Sequence, residues 1–322
     1  VVNGREVTIF SSNDYLGMSA HPEVLKAAAE AAVQFGIGTG GAPGTTGTTI
    51  IHRQLSSAIA QFKSRQNCVL FPSGYQANQA IHHSLDSEKA VFYIDKRHHP
   101  SAIDGTRLAR VSKTIKFEHT NLDALQTALK SNKEMTNIVS LPSVFTVDGD
   151  IAPLDKLVEL KRKHHFILIL DEAHATGVVG ASGHGLEEHF NLKGTADFIM
   201  GTFSKALGSQ GGFLAFDDKA RESLQSYFRT YDYSTSLSTV SAAAALKALE
   251  LIETNSSILD SLKKVKERII SSCMEQGLPL VVNKSMILLL PAENIETLQQ
   301  SLFDEGFLTI AVHSQIAGMT QS

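Results

Sequence analysis

Short, unbroken apolar runs recur through the first two thirds of the chain. They are NCVLF (67–71), AVFYID (90–95), TIKFEH (114–119), NIVSL (137–141), FILIL (166–170), DFIMGT (197–202) and GGFLAF (211–216). Most lack polar alternation, which is the pattern of strands buried on both faces of a sheet. Between them, HRQLSSAIAQFKS, NLDALQTALKS and PLDKLVELKRKHH carry apolar residues at helical spacing, which predicts amphipathic helices. Strand and helix in alternation predict a mostly parallel seven-stranded sheet covered by helices. After about residue 238 the pattern changes. STVSAAAALKALELIETNSSILDSLKKVKERIISSCMEQG reads as a long helical stretch broken near TNSS, LPLVVNKSMILLLPA as two short strands, and a further helix and FLTIAVH follow. The expected organisation is an N-terminal segment (1–35), a large α/β domain (36–238) and a smaller C-terminal α+β domain (239–322).

In an open α/β sheet, ligands gather at the carboxyl ends of the strands, so the polar residues that stop each run matter most. FILIL ends in DEAHATG, which places Asp171 at a strand mouth and His174 three residues later. AVFYID runs into KRHHPSAIDG with His98 and His99, NCVLF into PSGYQAN with Gly74 and Tyr75, and DFIM into GTFSKALGSQGG with Thr202 and Lys205. Each has an ordinary alternative: Asp171 as a helix cap, the histidines as surface residues, PSGYQAN as a plain turn and helix start. Lys205 has no acidic partner within four residues and precedes a glycine-rich stretch. Desolvation in a pocket would lower its pKa and supply the neutral amine that imine chemistry needs. Taken together, a lysine, a carboxylate and a helix N-terminus open to an anion match what pyridoxal 5'-phosphate (PLP) requires. The segment GIGTGGAPGTTGTT (36–49) lacks the Gly-Lys-Ser/Thr ending of a nucleotide loop and follows a helical stretch, so it reads as a loop near substrate.

Bulk composition narrows the classes. With 43% hydrophobic and 19% charged residues among 322, the chain is folded and globular. A net charge of -4 with scattered basic residues argues against nucleic acid as the main partner. Two distant cysteines suggest neither a disulfide framework nor a zinc site, and no metal is expected. No apolar run approaches a membrane span, and the first residues lack a signal peptide's layout, so a cytoplasmic protein is expected.

The ordered motifs SSNDYLGMSAHPEV, FGIGTGG, LFPSGYQAN, VDGDIAPL, DEAHATGVVG, GTFSKALGSQGG and YSTSL resemble the α-oxoamine synthases, fold-type I PLP enzymes, across most of the chain. The resemblance implies decarboxylative condensation of an amino acid with an acyl thioester to an α-aminoketone. Lys205 would hold the cofactor covalently and move the α-proton, and Asp171 would pair with the pyridine nitrogen. His99 would stack on the ring, and His174 would lie near the ring hydroxyl. Gly74 and Tyr75 through backbone amides, and Thr202 through its hydroxyl, would bind phosphate. Thr146 would lie near the cofactor, Asn13 at the substrate end, and Thr235 would reach phosphate across a homodimer interface.

QFGIGTGG and DEAHATGVVG look most like the branch that joins alanine to a pimeloyl thioester in biotin synthesis, carried on coenzyme A or an acyl carrier protein. A serine palmitoyltransferase-like, 2-amino-3-ketobutyrate ligase or signalling-ketone branch is the alternative, and a non-catalytic partner subunit is the alternative of another class. Several segments depart from the family pattern: Pro142 replaces a frequent glutamate, GGAPGTTGTT lacks an arginine, and STV follows YSTSL where paired prolines are common. FLTIAVHSQIAGMTQS stops before the arginine segment of relatives, so the sequence is expected to be a trimmed piece of a longer protein.

Overall fold

The computed structural model describes residues 1–224 and 228–313. Strand β1 (Thr8–Ile9) and a 3-10 turn at Met18–Ala20 precede helices α1 (Pro22–Phe35) and α2 (Ile50–Phe62). Alternation then begins with β2 (Asn67–Phe71), α3 (Gly74–Ser84), β3 (Ala90–Asp95), α4 (Pro100–Leu108), β4 (Lys113–Phe117) and α5 (Leu122–Ser131). It continues with β5 (Thr136–Pro142), α6 (Leu154–His164), β6 (Ile167–Asp171), the one-turn α7 (Leu186–His189), β7 (Phe198–Thr202) and β8 (Gly212–Phe216). Two further single turns, α8 (Asp218–Arg221) and α9 (Arg229–Asp232), lead to α10 (Thr239–Thr254), α11 (Ser256–Glu275), α12 (Ile295–Asp304) and β9 (Phe307–Leu308).

All seven expected central strands form, and they make one sheet in the order β2-β8-β7-β6-β5-β3-β4. Only β8 runs antiparallel to its neighbours, in register Phe198↔Phe216 with β7 and Asn67↔Phe216 with β2. Every residue of β3, β7 and β8 is buried, which is why these runs carry no polar alternation. The chain lays β3 and β4 toward one edge, then returns through β5 to build β6 and β7 on the other side. Such a reversal opens a crevice at the strand ends. Asp95, Pro142, Asp171 and Thr202 are the last residues of β3, β5, β6 and β7.

Local signals set the helix starts around that crevice. Ser73 caps α3 by accepting from Gln76 N at 3.2 Å, and Asn121 caps α5 by accepting from Ala124 N at 3.0 Å. His99 caps α4, with Pro100 in the first turn, where a missing N–H costs nothing. The break expected near TNSS falls between α10 and α11, where Asn255 accepts from Ser257 N at 3.2 Å. Helix α10 buries Ala242, Ala245, Ala248 and Leu249 and packs against α1 and α2.

The two strands expected in LPLVVNKSMILLLPA do not form; the segment makes a single bridge, Val281↔Leu289. Proline at 279 and 291 removes ladder donors at both ends, and Val281 and Val282 stay 37% and 53% exposed. The run is apolar without a sheet edge to join. Strand β9 instead pairs in parallel with β1, Thr8↔Phe307 and Ile9↔Leu308, so the first residues of the chain are stitched to the last described element. Residues 314–322, which end the FLTIAVHSQIAGMTQS stretch, lie outside the described residues.

Candidate active site

The crevice collects the four side chains with chemical potential. Asp171 ends β6 at 5% exposure, and the turn that follows carries His174. His99 heads α4, and Lys205 lies in the turn after β7. The charges of Asp171, Lys205, His99 and His174 act on one another, which places them in one site.

Burial tends to protonate Asp171, yet its pKa lies below the usual carboxylate range. The stabilising partners are the nearby His98, Asn78 Nδ2, which donates to Oδ2 at 2.8 Å, the Lys205 charge, and Ala173 N, which donates to Oδ1 at 3.0 Å. His98 is itself neutral above about pH 4, so at neutral pH the amide donors and Lys205 keep the carboxylate ionised. Desolvation lowers the Lys205 pKa, and Asp171 partly offsets it. Burial also lowers His99, and pushes His174 down to about 3.

The loop after Asp171 is fixed from beneath. Glu172 and Lys63, both 1% exposed, pair at 2.5 Å. Glu172 also accepts from Leu186 N at 2.7 Å, and Lys63 donates to the His184 carbonyl at 2.7 Å. With every polar atom engaged, this buried pair holds the His174 turn in one conformation.

The N-terminus of α3 forms the other wall. A Cβ at Gly74 would lie 3.1 Å from Thr202 Cβ, and one at Gly212 would lie 2.7 Å from Gly74 N. Glycine at both positions lets the first turn of α3 press against the ends of β7 and β8, leaving its amide groups facing an anion position. The Tyr75 ring stands edge-on to His99 at 6.2 Å, and its hydroxyl donates to Asp104. Thr202 differs from expectation in detail: its hydroxyl donates to the Gly211 carbonyl at 2.7 Å. With that proton on Gly211, the exposed Ser204 hydroxyl, 2.8 Å away, donates to Thr202 Oγ1 and keeps lone pairs toward solvent.

Three further residues sit at the margin. Thr146 is exposed in the 144–151 turn, beside Val147 at φ 107. Asn13 is exposed, and its carbonyl accepts from Tyr15 N at 2.9 Å. Thr235 is exposed, and the adjacent Ser234 hydroxyl lies 3.4 Å from Gln76 Nε2 in the first turn of α3.

Sequence reasoning missed Tyr15, whose hydroxyl lies 2.7 Å from His174 Nδ1. It also missed Asn78 and Ser101, where Asn78 Nδ2 donates to Ser101 Oγ at 2.9 Å and Ser101 Oγ lies 2.7 Å from His99 Nδ1. Asn78 had a legible signal, since four residues after Gly74 it shares that face of α3. Tyr15 had none, because its partner is 159 residues away.

These residues fit PLP on the chemistry of the donors: a desolvated amine, a buried carboxylate kept ionised, and a glycine-walled helix N-terminus. The comparisons agree. The family described as Aminotransferase class I and II matches residues 5–316. An 8-amino-7-oxononanoate synthase of Lysinibacillus sphaericus is 35% identical over 316 residues, which is 97% of this chain and 81% of that protein. Serine palmitoyltransferase from S. paucimobilis, solved with a PLP adduct, superposes with a TM-score of 0.90 at 28% identity, over 97% of this chain and 82% of that one. The 8-amino-7-oxononanoate synthase of Francisella tularensis gives 0.78 at 26% identity, over 94% and 87%. The chain belongs to the aminotransferase class I and II family and, within it, to the PLP-dependent α-oxoamine synthases.

Proposed function

We propose that the chain is an 8-amino-7-oxononanoate synthase, condensing alanine with a pimeloyl thioester and releasing carbon dioxide and the free thiol. The observation that carries this reading is the convergence of Lys205, Asp171, His99 and His174 in one crevice of a chain 35% identical to a relative of that name. Bound PLP supplies an electron sink for the carbanion at the amino acid's α-carbon. The protein's residues do the rest. Lys205, desolvated toward the neutral amine, takes the α-proton and returns it to the product. Asp171, ionised, would hold a proton on the ring nitrogen. His99 would pack on the ring face, His174, whose Nδ1 lies beside the Tyr15 hydroxyl, would lie near the ring hydroxyl, and the amides of Gly74 and Tyr75 with Thr202 or Ser204 would hold the phosphate. Thr146 and Asn13 line the substrate end.

The same proposal places the protein in the cytoplasm as a homodimer, with Thr235 completing the partner's phosphate site. The division at 1–35, 36–238 and 239–322 is part of it, with β1 reaching across to β9. Among the described residues no helix is long and apolar enough to cross a membrane.

Full-length protein loaded with PLP tests the reading: alanine with pimeloyl thioester should release thiol and carbon dioxide in equal amounts. Turnover with serine and a long-chain thioester instead would move the enzyme to the serine palmitoyltransferase branch, a member of which superposes with a TM-score of 0.90. No turnover with either pair, in protein that binds PLP, would favour a non-catalytic partner subunit.

A further inference from the structure

Beneath Asp171 lies a second set of polar groups that takes no direct part in this chemistry. His82, Ser140 and His98 are 0%, 0% and 4% exposed. Their surroundings are apolar: Ala77, Ile81, Ile94, Ile138 and Ile169 belong to the core between α3 and the sheet, and Phe92 lies 5.6 Å from the His82 ring. An apolar trio would fill such a place without the desolvation cost of three polar side chains. Their hydrogen bonds are correspondingly complete.

The bonding has a single sense. His99 N donates to His98 Nδ1 at 2.8 Å, so that nitrogen carries no proton and His98 Nε2 must donate to Ser140 Oγ, 2.9 Å away. The Ser140 hydroxyl is then left to donate to His82 Nε2 at 2.9 Å. His82 Nδ1 in turn donates to the Asn78 carbonyl at 2.8 Å. From Asn78 the side chain donates to Asp171 Oδ2 and to Ser101 Oγ. Ser101 closes the circuit on His99: its backbone N–H donates to Nδ1 at 3.2 Å and its hydroxyl meets the same atom at 2.7 Å. The circuit therefore runs from the backbone of His99, through β5 and α3, back to the His99 imidazole, with Asp171 attached to it at Asn78.

We propose that His98, Ser140 and His82 are positioning residues for the reaction: their chain of hydrogen bonds locks the His99 imidazole, at the start of α4, and the Asp171 carboxylate, at the end of β6, into one fixed geometry against the cofactor ring. Each link has only one proton arrangement, so the circuit resists local adjustment, and a hydrogen-bonded network of this kind in a low-dielectric interior is stiffer than its separate bonds. The inference depends on the site binding PLP and not on which amino acid or thioester is used, so it can fail while the substrate assignment stands.

The test compares Ser140→Ala, His98→Leu and His98→Asn as PLP-loaded full-length proteins. Ser140→Ala removes one oxygen and leaves two imidazole nitrogens without their partner. His98→Leu removes the link, while His98→Asn retains a carbonyl for His99 N and an amide for Ser140. The expected result is a rise in the PLP dissociation constant of about tenfold for Ser140→Ala and His98→Leu, a fraction of the cost of an unsatisfied buried group. The circular dichroism of the bound cofactor should weaken in parallel, and kcat should fall while the KM for the amino acid stays unchanged. His98→Asn should restore all three. Unchanged PLP affinity and cofactor dichroism in folded Ser140→Ala and His98→Leu would overturn the proposal even if both melt earlier, because that pattern belongs to core packing alone.

Discussion

Two regions use histidine in opposite ways. On the floor under the crevice, burial lowers His82 to about 3 and His98 to about 4, and His174 above them to about 3, so all three are neutral. At the ends of β3 and β4, His119 lies between Asp95 (Nδ1 to Oδ1, 3.5 Å) and Asp150 (Nε2 to Oδ2, 3.3 Å), while Arg97 pairs with Asp148. Burial lowers the His119 pKa too, but the Asp95 hydrogen bond and charge, with Asp150, outweigh it and the net shift is upward despite Arg97. The residue type is the same and the direction of the shift is opposite. Where the neighbours are hydroxyls and carbonyls, an imidazole is a directional link; where they are carboxylates, its cationic form is favoured and it acts as a brace. The floor orients the chemistry, and the brace ties the 144–151 turn, which carries Thr146, to the sheet.

The largest expected effect comes from the charge that the floor supports. Asp171→Asn should slow turnover by about two to three orders of magnitude, the scale of losing one preorganised electrostatic partner, with little change in melting temperature. Steady-state kinetics with denaturation curves would show it; undiminished turnover would mean that another group protonates the ring nitrogen.

Breaking the support of the neighbouring turn should act on stability instead. Lys63→Met leaves Glu172 charged and 1% exposed, at a cost of about 3–5 kcal/mol, readable as a lower urea midpoint. A cost near zero would show that the pair does not hold the turn.

The two regions should also respond to pH with opposite sign. Unfolded histidine titrates near 6.5. The neutral floor histidines contribute fully above that value and lose stability as pH falls from it toward about 3 and 4, at up to about 1.4 kcal/mol per pH unit for each. The His119 brace contributes fully below about 6.5 and loses its contribution as pH rises through its raised folded pKa. His119→Gln should therefore cost about 1 kcal/mol at pH 6, the scale of a partly exposed ion pair, and less at pH 8. A cost that grows with pH would contradict the protonated brace.

The strands were legible because β3, β7 and β8 are buried on both faces and their sequences say so without ambiguity. Asp171, His99, His174 and Lys205 were legible because strand ends concentrate ligands and the motifs around them are ordered. The circuit was not, since His82 in α3, Ser140 in β5 and His98 in the bend after β3 become neighbours only once the sheet order is set. His98 drew notice as half of a His-His pair, yet nothing in that pair tells a linking imidazole from a surface one. LPLVVNKSMILLLPA misled for the complementary reason: apolar content predicts a strand only where another strand offers it hydrogen bonds.

The central claim is that Lys205 is the amine this site presents to the cofactor. Borohydride treatment of PLP-loaded protein followed by peptide mass mapping tests it directly. The account predicts one cofactor-derived mass on the peptide containing Lys205, absent from Lys205→Ala. Labelling of another lysine, or none in protein that retains bound PLP, would contradict it.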